Sequence, residues 1–176
     1  MSSILKVDTI QTTAGAAPTT KDLGFAAGSI IQVQHAVNTT SNLVNTTSDF
    51  PVASGFKLSI TPKFSTSKIL VIMEIDAWLQ FGSDNNKIGK YAIRLNSQSN
   101  ATVADKRIGI NFAGGTGSNQ DHGQQVTMVY YDSPNSTNAQ EYEAVCGRWN
   151  SNYPTNVMIN GGGFGHSSIT LMEIAQ

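Results

Sequence analysis

The chain has 176 residues and a formal net charge of −1, enough for one domain with a real core plus an extended arm. Charged residues make up 13%, where about 25% is usual, and Asn, Ser, Thr, Gln and Gly take their place. The 11 Lys and Arg are scattered, without the stripe or cluster that a nucleic-acid backbone or an anionic membrane surface requires, so neither is expected as a partner.

A low net charge combined with many apolar runs argues for a folded chain and not for disorder. The single cysteine, Cys146, excludes a disulfide framework within one chain, so the core or subunit contacts must hold the fold. Met1–Val7 carries one Lys and no long apolar stretch, and no apolar run approaches about 18 residues. Neither a secretory signal nor a membrane span is therefore expected. The sequons at Asn38, Asn45 and Asn135 read as products of an Asn/Thr-rich composition.

Residues 1–28 differ from the rest. Ile4–Ile10 alternates like an isolated strand. The small-residue stretch Thr12–Thr20, with Pro18, cannot build a core. Together they predict an extended N-terminal arm, with Ile4, Leu5, Val7 and Ile10 as its gripping side chains, and a folded domain over 29–176.

Strands are expected from there on: Gly28–Ala36, Phe56–Ile60, Ser67–Phe81, Lys87–Asn96, Ala101–Phe112, Gln125–Asp132, Glu141–Trp149, Asn156–Asn160 and Ser168–Ile174. The longest, Ser67–Phe81, puts Ile69, Val71, Met73, Ile75, Ala77 and Leu79 on one face and Leu70, Ile72, Glu74, Asp76 and Trp78 on the other. A helix is rejected there because β-branched residues are dense and caps are missing. Gly-, Asn- and Pro-rich turns separate the segments. Eight to ten short strands without a helix predict an all-β sandwich or barrel, and within that class an antiparallel jelly roll.

Several strands are apolar on both faces. In the last one Ile169 and Leu171 point one way, and Met172 and Ile174 the other; Val71 and Ile72 do the same in the long strand. A two-layer sandwich buries only one face of each sheet. A second copy is the economical cover, so a homo-oligomer is expected, with Ile72, Ile169, Leu171, Met172 and Ile174 as its interface set. The N-terminal arm or a long loop is the alternative cover.

Catalytic chemistry is largely missing. His35, His122 and His166 form no metal-binding pair, and Asp121-His122 in a Gly-rich loop reads as a solvated loop. Glu74 with Asp76, and Glu141 with Glu143, share strand faces at a spacing that glycoside hydrolysis would tolerate. Such carboxylates more often face solvent or pair with Lys/Arg across the ladder. Cys146, in alternation with Tyr142 and Ala144, reads as a small core residue. Gly114–Gly117 and Gly161–Gly165 lack a Walker lysine, and Ser83–Asn86 supplies too few oxygens for a calcium site. No catalytic residue, metal or cofactor is therefore assigned, and no enzyme is expected. Trp149 and Tyr153 around Asn152, with Asn119 nearby in the loops, suit a sugar-binding tip: a ring stacks on C–H groups while amides bond hydroxyls. The alternative is that Trp149 ends a strand and plugs the barrel.

Both ends of the chain and one central strand carry a family resemblance. "LKVDTIQTTAG" (5–15) with "KDLGFAAGSIIQVQ" (21–34), and "STSKILVIMEI" (65–75) with the terminal "SSITLMEIAQ" (167–176), resemble the fibre and appendage proteins of tailed bacteriophages. The loops between 82 and 165 carry no part of the likeness. The resemblance implies a homotrimeric virion protein made in the host cytoplasm. Its N-terminal arm would dock on a tail adaptor, baseplate or capsid, and its C-terminal jelly roll, of the kind seen in tumour-necrosis-factor and C1q-like domains, would project toward the host surface. The short chain has no repetitive shaft. A compact tail-tip, capsid-decorating or head-fibre module, or a lectin-like module binding host glycan, therefore stands beside the long tail fibre.

Overall fold

The computed structural model describes residues 24–41, 43–81, 86–95, 102–111, 120–149, 155–161 and 165–176. They form ten strands: β1 (Ile30–Asn38), β2 (Val44–Thr46), β3 (Val52–Ile60), β4 (Lys68–Phe81), β5 (Asn86–Leu95), β6 (Thr102–Asn111), β7 (Gln120–Asp132), β8 (Gln140–Arg148), β9 (Thr155–Ile159) and β10 (Ser167–Ile174). No helix occurs among the described residues, so the all-β expectation holds.

The strands make two antiparallel sheets. In the larger, β7 lies along one side of the 14-residue β4. The other side of β4 is shared: β10 pairs with its first half and β9 with its second, and β1 and β2 lie beyond them. The smaller sheet runs β3-β8-β5-β6.

The period-two pattern read in β4 decides its faces. Ile69, Val71, Met73, Ile75, Ala77 and Leu79 are all buried, and they meet Ile169 and Leu171 of β10, Val126 and Met128 of β7, and Val157 and Ile159 of β9. The smaller sheet closes this core with Phe56, Ile60, Tyr91, Ile93, Tyr142, Ala144 and Cys146. Removing these side chains from water is the main driving force, at about 1.5–3 kcal/mol for each large apolar group.

Polar groups inside the sandwich are used as ties. Tyr91, on the smaller sheet, reaches across the core to donate to the Met158 carbonyl at 2.9 Å. Tyr142 donates to Asp132 Oδ2 at 2.8 Å. Burial pushes both phenols above their ordinary range, so they remain neutral donors. Glu173 continues the inward series of β10 and is fully buried. It accepts the N–H groups of Lys63 (2.8 Å) and Phe64 (3.3 Å) and the side-chain amide of Gln32 (2.6 Å), which fastens the β3–β4 turn beneath β1. Asn160, also buried, adopts φ 56, accepts from Ser167 Oγ at 2.6 Å and donates to the carbonyls of Asn38 and Thr40. It locks the turn after β9 to the end of β1.

The structure departs from expectation at one added strand and, by several residues, at two strand starts. β2 is too short to show periodicity. β3 begins at Val52 and not at Phe56, because the ladder with β8 slips between Ala53 and Lys57. Gly55 there takes φ +74, a bulge that interrupts alternation. β7 begins at Gln120, so Asp121-His122 lies in a strand opposite Leu79 and Gln80 and not in a loop. The misleading residue is Gly123, which looks like a turn glycine. It sits where a Cβ would run into the Trp78 ring.

Residues 1–23 lie outside the described residues, and Ile4, Leu5, Val7 and Ile10 with them. Among the described residues, Phe25 meets the Phe64 ring edge-on with centroids 6.3 Å apart. The backbone joins the body at Gly28, whose N–H donates to the Ala175 carbonyl at 2.9 Å.

Candidate functional site

The outer face of the larger sheet is the least expected surface for a lone domain. Register places Val33, Met172, Leu70 and Tyr131 side by side across β1, β10, β4 and β7. The next row outward is His35, Thr170, Ile72 and Val129, and the third is Val37, Ser168, Glu74 and Thr127. Five large apolar residues here are about half exposed: Ile30 55%, Val33 49%, Val37 54%, Val129 55% and Tyr131 51%. Leu70, Ile72, Met172 and Ile174 are partly buried between them. The polar members bond to each other: Thr170 Oγ1 lies 2.9 Å from His35 Nδ1, and Ser168 donates to Glu74 at 3.2 Å.

Of the five interface residues read from the sequence, Ile72, Met172 and Ile174 lie on this face. Ile169 and Leu171 do not. Both have no exposed area in the lone chain, because they point into the sandwich and pack against β4 and the smaller sheet. They are core residues, and no second chain can touch them. Five further members of the face, Ile30, Val33, Val37, Val129 and Tyr131, were not singled out. The last four carried a signal, a period-two pattern in "VQHAV" and "VTMVYY", but without the register of β1 and β7 these strands could not be set on one surface.

The smaller sheet presents a different exterior. Lys57 pairs with Glu141 at 3.0 Å, Arg94 with Glu143, and Arg148 with Asp49 at 2.6 Å. The Lys90 ammonium sits 4.4 Å from the centroid of the Phe50 ring and 5.8 Å from that of Trp149. Among the described residues these three pairs are matched within the chain, and the Phe50 and Trp149 faces already hold a cation. Trp149 follows β8, is partly buried, and donates its backbone N–H to Ile88. It is not among the buried core residues, so it does not plug the sandwich. Tyr153, Asn152 and Asn119 lie outside the described residues.

The carboxylate pairs separate into structural roles. Glu141 and Glu143 are the ladder partners just described, and Glu143 Oε1 also accepts the Gly55 N–H at 2.9 Å. Glu74 is exposed, and Asp76 is partly buried on the same face. Burial pushes the Asp76 carboxyl above its ordinary range, opposed by the nearby His166. The charged form bears this cost, so folding favours protonated Asp76. The contribution is present below the unfolded carboxyl's pKa and fades as pH rises through the higher folded value. Asp76→Asn should therefore raise the melting temperature at pH 7 and bring no gain at pH 3, as followed by circular dichroism.

Cys146 is wholly buried, and burial pushes its thiol up to about 12. A thiol held neutral and out of reach is no nucleophile. A disulfide exchange reagent should leave it unlabelled in the native protein and label it fully in denaturant. Among the described residues no group of three or more His, Cys, Asp or Glu is placed to hold a metal ion. None of the helix-type membrane spans exists among them either.

No protein-family model matches the chain, and no curated protein matches it.

Proposed function

We propose that this chain is a non-enzymatic structural module that works by associating with its own copies, and that it serves as an appendage protein of a tailed-bacteriophage particle. The observation that carries the self-association is the three-row outer face of the larger sheet. Seven of its twelve positions are apolar and five large apolar side chains on the face stand about half exposed; the largest apolar patch on a folded domain is often an interaction site. On the smaller sheet, by contrast, Lys57, Arg94 and Arg148 find carboxylate partners within the chain.

The strand pairing supports a jelly roll. Setting aside the short β2 and β9, eight strands remain, and they pair from the outside inward: β1 with β10, β3 with β8, β4 with β7, β5 with β6. This is a long hairpin wrapped into two sheets. The phage assignment, the trimeric state and the attachment role rest on the resemblance at residues 5–34 and 65–75 and at the C-terminus. In this reading residues 1–28 are the arm that grips a tail adaptor, baseplate or capsid, and the body stands outward on the virion. A capsid-decorating or head-fibre position uses the same division.

Deleting residues 2–20 tests it. The truncated protein should keep its fold and its assembly, as read by circular dichroism and sedimentation, while failing to join particles. Unfolding of the truncated chain would show that the arm belongs to the core. A glycan-binding tip at Trp149 is a second reading, supported by its partly buried ring just after β8. It predicts that Trp149→Ala weakens adsorption to host cells with assembly intact.

A further inference from the structure

We infer that the second half of β4 carries a binding platform for a neutral sugar on the outer face of the larger sheet, with the Trp78 ring as the stacking surface and amide side chains as the hydroxyl partners. The site is separate from Trp149 and does not depend on how copies associate.

Three observations carry it. First, the outer face changes character along β4. Beyond the third apolar row, register sets Asp76 beside Gln125, then Trp78 beside Gly123, then Gln80 between Asn156 and Asp121. Asp76, Trp78, Gln80 and Asn156 are partly buried, and Gly123 and Gln125 are exposed. One large aromatic ring therefore stands among amides and carboxylates, and none of these positions is Lys or Arg. An indole flanked by amides offers what a sugar needs: a flat apolar surface for its C–H groups, with donors and acceptors beside it for its hydroxyls. An anionic ligand would meet Asp76 and find no cation in these rows.

Second, the ring is given room at a cost to the strand beside it. Gly123 lies inside β7, where a glycine weakens a strand and marks a close approach. A Cβ at this position would run into the Cε3–Cζ3 edge of the Trp78 ring, and a Cβ at Gly161 would run into its Cβ and Cγ. The indole therefore reaches over the neighbouring strand in space left by two glycines, and it keeps part of its surface open there. A ring already held in place loses little freedom when a ligand stacks on it.

Third, the amides next to the ring are incompletely bonded. Asn156 Nδ2 donates to Gln80 Oε1 at 3.4 Å, long for a hydrogen bond and readily exchanged. Asn156 Oδ1 is shielded from water, and among the described residues it accepts no hydrogen bond. A shielded acceptor without a donor is unusual in a folded chain. A sugar hydroxyl, donor and acceptor at once, can replace the weak contact: it accepts from one amide nitrogen and donates to an amide oxygen.

The test uses the full-length protein, with neutral oligosaccharides of glucose, galactose, mannose and N-acetylglucosamine as probes and a uronic-acid polymer as the charged control. The chain has two tryptophans, so Trp149→Phe leaves Trp78 as the only indole reporter. At least one neutral probe should shift its emission and saturate. By calorimetry, Trp78→Ala should weaken that binding about tenfold, as expected for one lost stacking ring. Gln125→Ala, at an exposed position, should weaken it about threefold, as expected for one lost hydrogen bond. Far-ultraviolet circular dichroism and sedimentation should match wild type in both. Should Trp78→Ala unfold the chain, Gly123→Ala displaces the ring with a single methyl group and should give the same loss. Failure of every neutral probe to bind, or binding that survives loss or displacement of the Trp78 ring, would overturn the site. Binding confined to the uronic-acid polymer would overturn its neutral ligand. Binding lost in Trp149→Phe but kept in Trp78→Ala would overturn it too, and would put the sugar at Trp149, as the second reading above has it.

Discussion

Arg94→Ala should destabilise the fold by about 3–5 kcal/mol, the range seen when one partner of a buried ion pair is removed. Arg94 and Glu143 keep only 13% and 4% of their side-chain area exposed. Without the guanidinium, Glu143 remains as a buried carboxylate whose remaining support is the Gly55 N–H. The bulge in β3 depends on that same carboxylate, and Ser54 Oγ donates to the neighbouring Ala144 carbonyl at 2.5 Å. The loss should therefore loosen the β3–β8 ladder first. Urea titration would show the midpoint falling, and hydrogen exchange would show β3 amides losing protection before those of β4. Replacing both partners, as Arg94→Met with Glu143→Leu, should restore much of the stability, because no uncompensated charge is then buried.

The second large effect separates neighbouring residues of one strand. Leu171→Ala should lower fold stability by about 2–5 kcal/mol whatever the assembly state, because it opens a cavity between β4 and the smaller sheet. Met172→Lys should change the stability of a single chain by about 1 kcal/mol or less, yet place a charge in the middle of the apolar rows and dissociate the assembly. Thermal unfolding and sedimentation, measured on both variants, should thus give opposite patterns. If Leu171→Ala dissociated a stable fold while Met172→Lys left assembly untouched, the inner and outer faces of β10 would be reversed.

Much of the fold was legible because β-strands declare themselves at period two. β4 alternates over twelve residues, and the whole inward series is buried as read. β10 and β8 are nearly as clear. Legibility failed where a glycine served packing and not a turn. Gly123 yields space to Trp78 inside β7, and Gly55 permits the bulge in β3, so both strands begin earlier than their patterns suggest. The assembly face was half legible. That β10 is apolar on both sides was visible, but which side faces inward is decided by pairing with β4 and by closure of the second sheet. Hence Ile169 and Leu171 were grouped with Met172 and Ile174 when only the latter two lie outward. The margins of the face were invisible for the same reason. Val33 and Tyr131 are about 100 positions apart in the chain and share a row only through β10 and β4.

The carboxylates teach a related lesson. Glu141 and Glu143 look like a candidate acid/base pair in sequence, yet Lys57 and Arg94 come from β3 and β5, long-range neighbours that convert them into ladder partners. Reading chemistry from spacing along one strand omits the strands beside it. Asp76 is the reverse case. It looks solvated in the alternation of β4, but the turn after β9 and the Gly165-His166 segment close over it.

Sedimentation equilibrium of the full-length protein at micromolar concentration tests the account most directly. It should report a discrete mass of more than one chain, largely insensitive to salt, since apolar contact and not charge joins the copies. A folded, soluble particle of 18.8 kDa across that range, with the outer rows of β1, β10, β4 and β7 open to solvent, would contradict it.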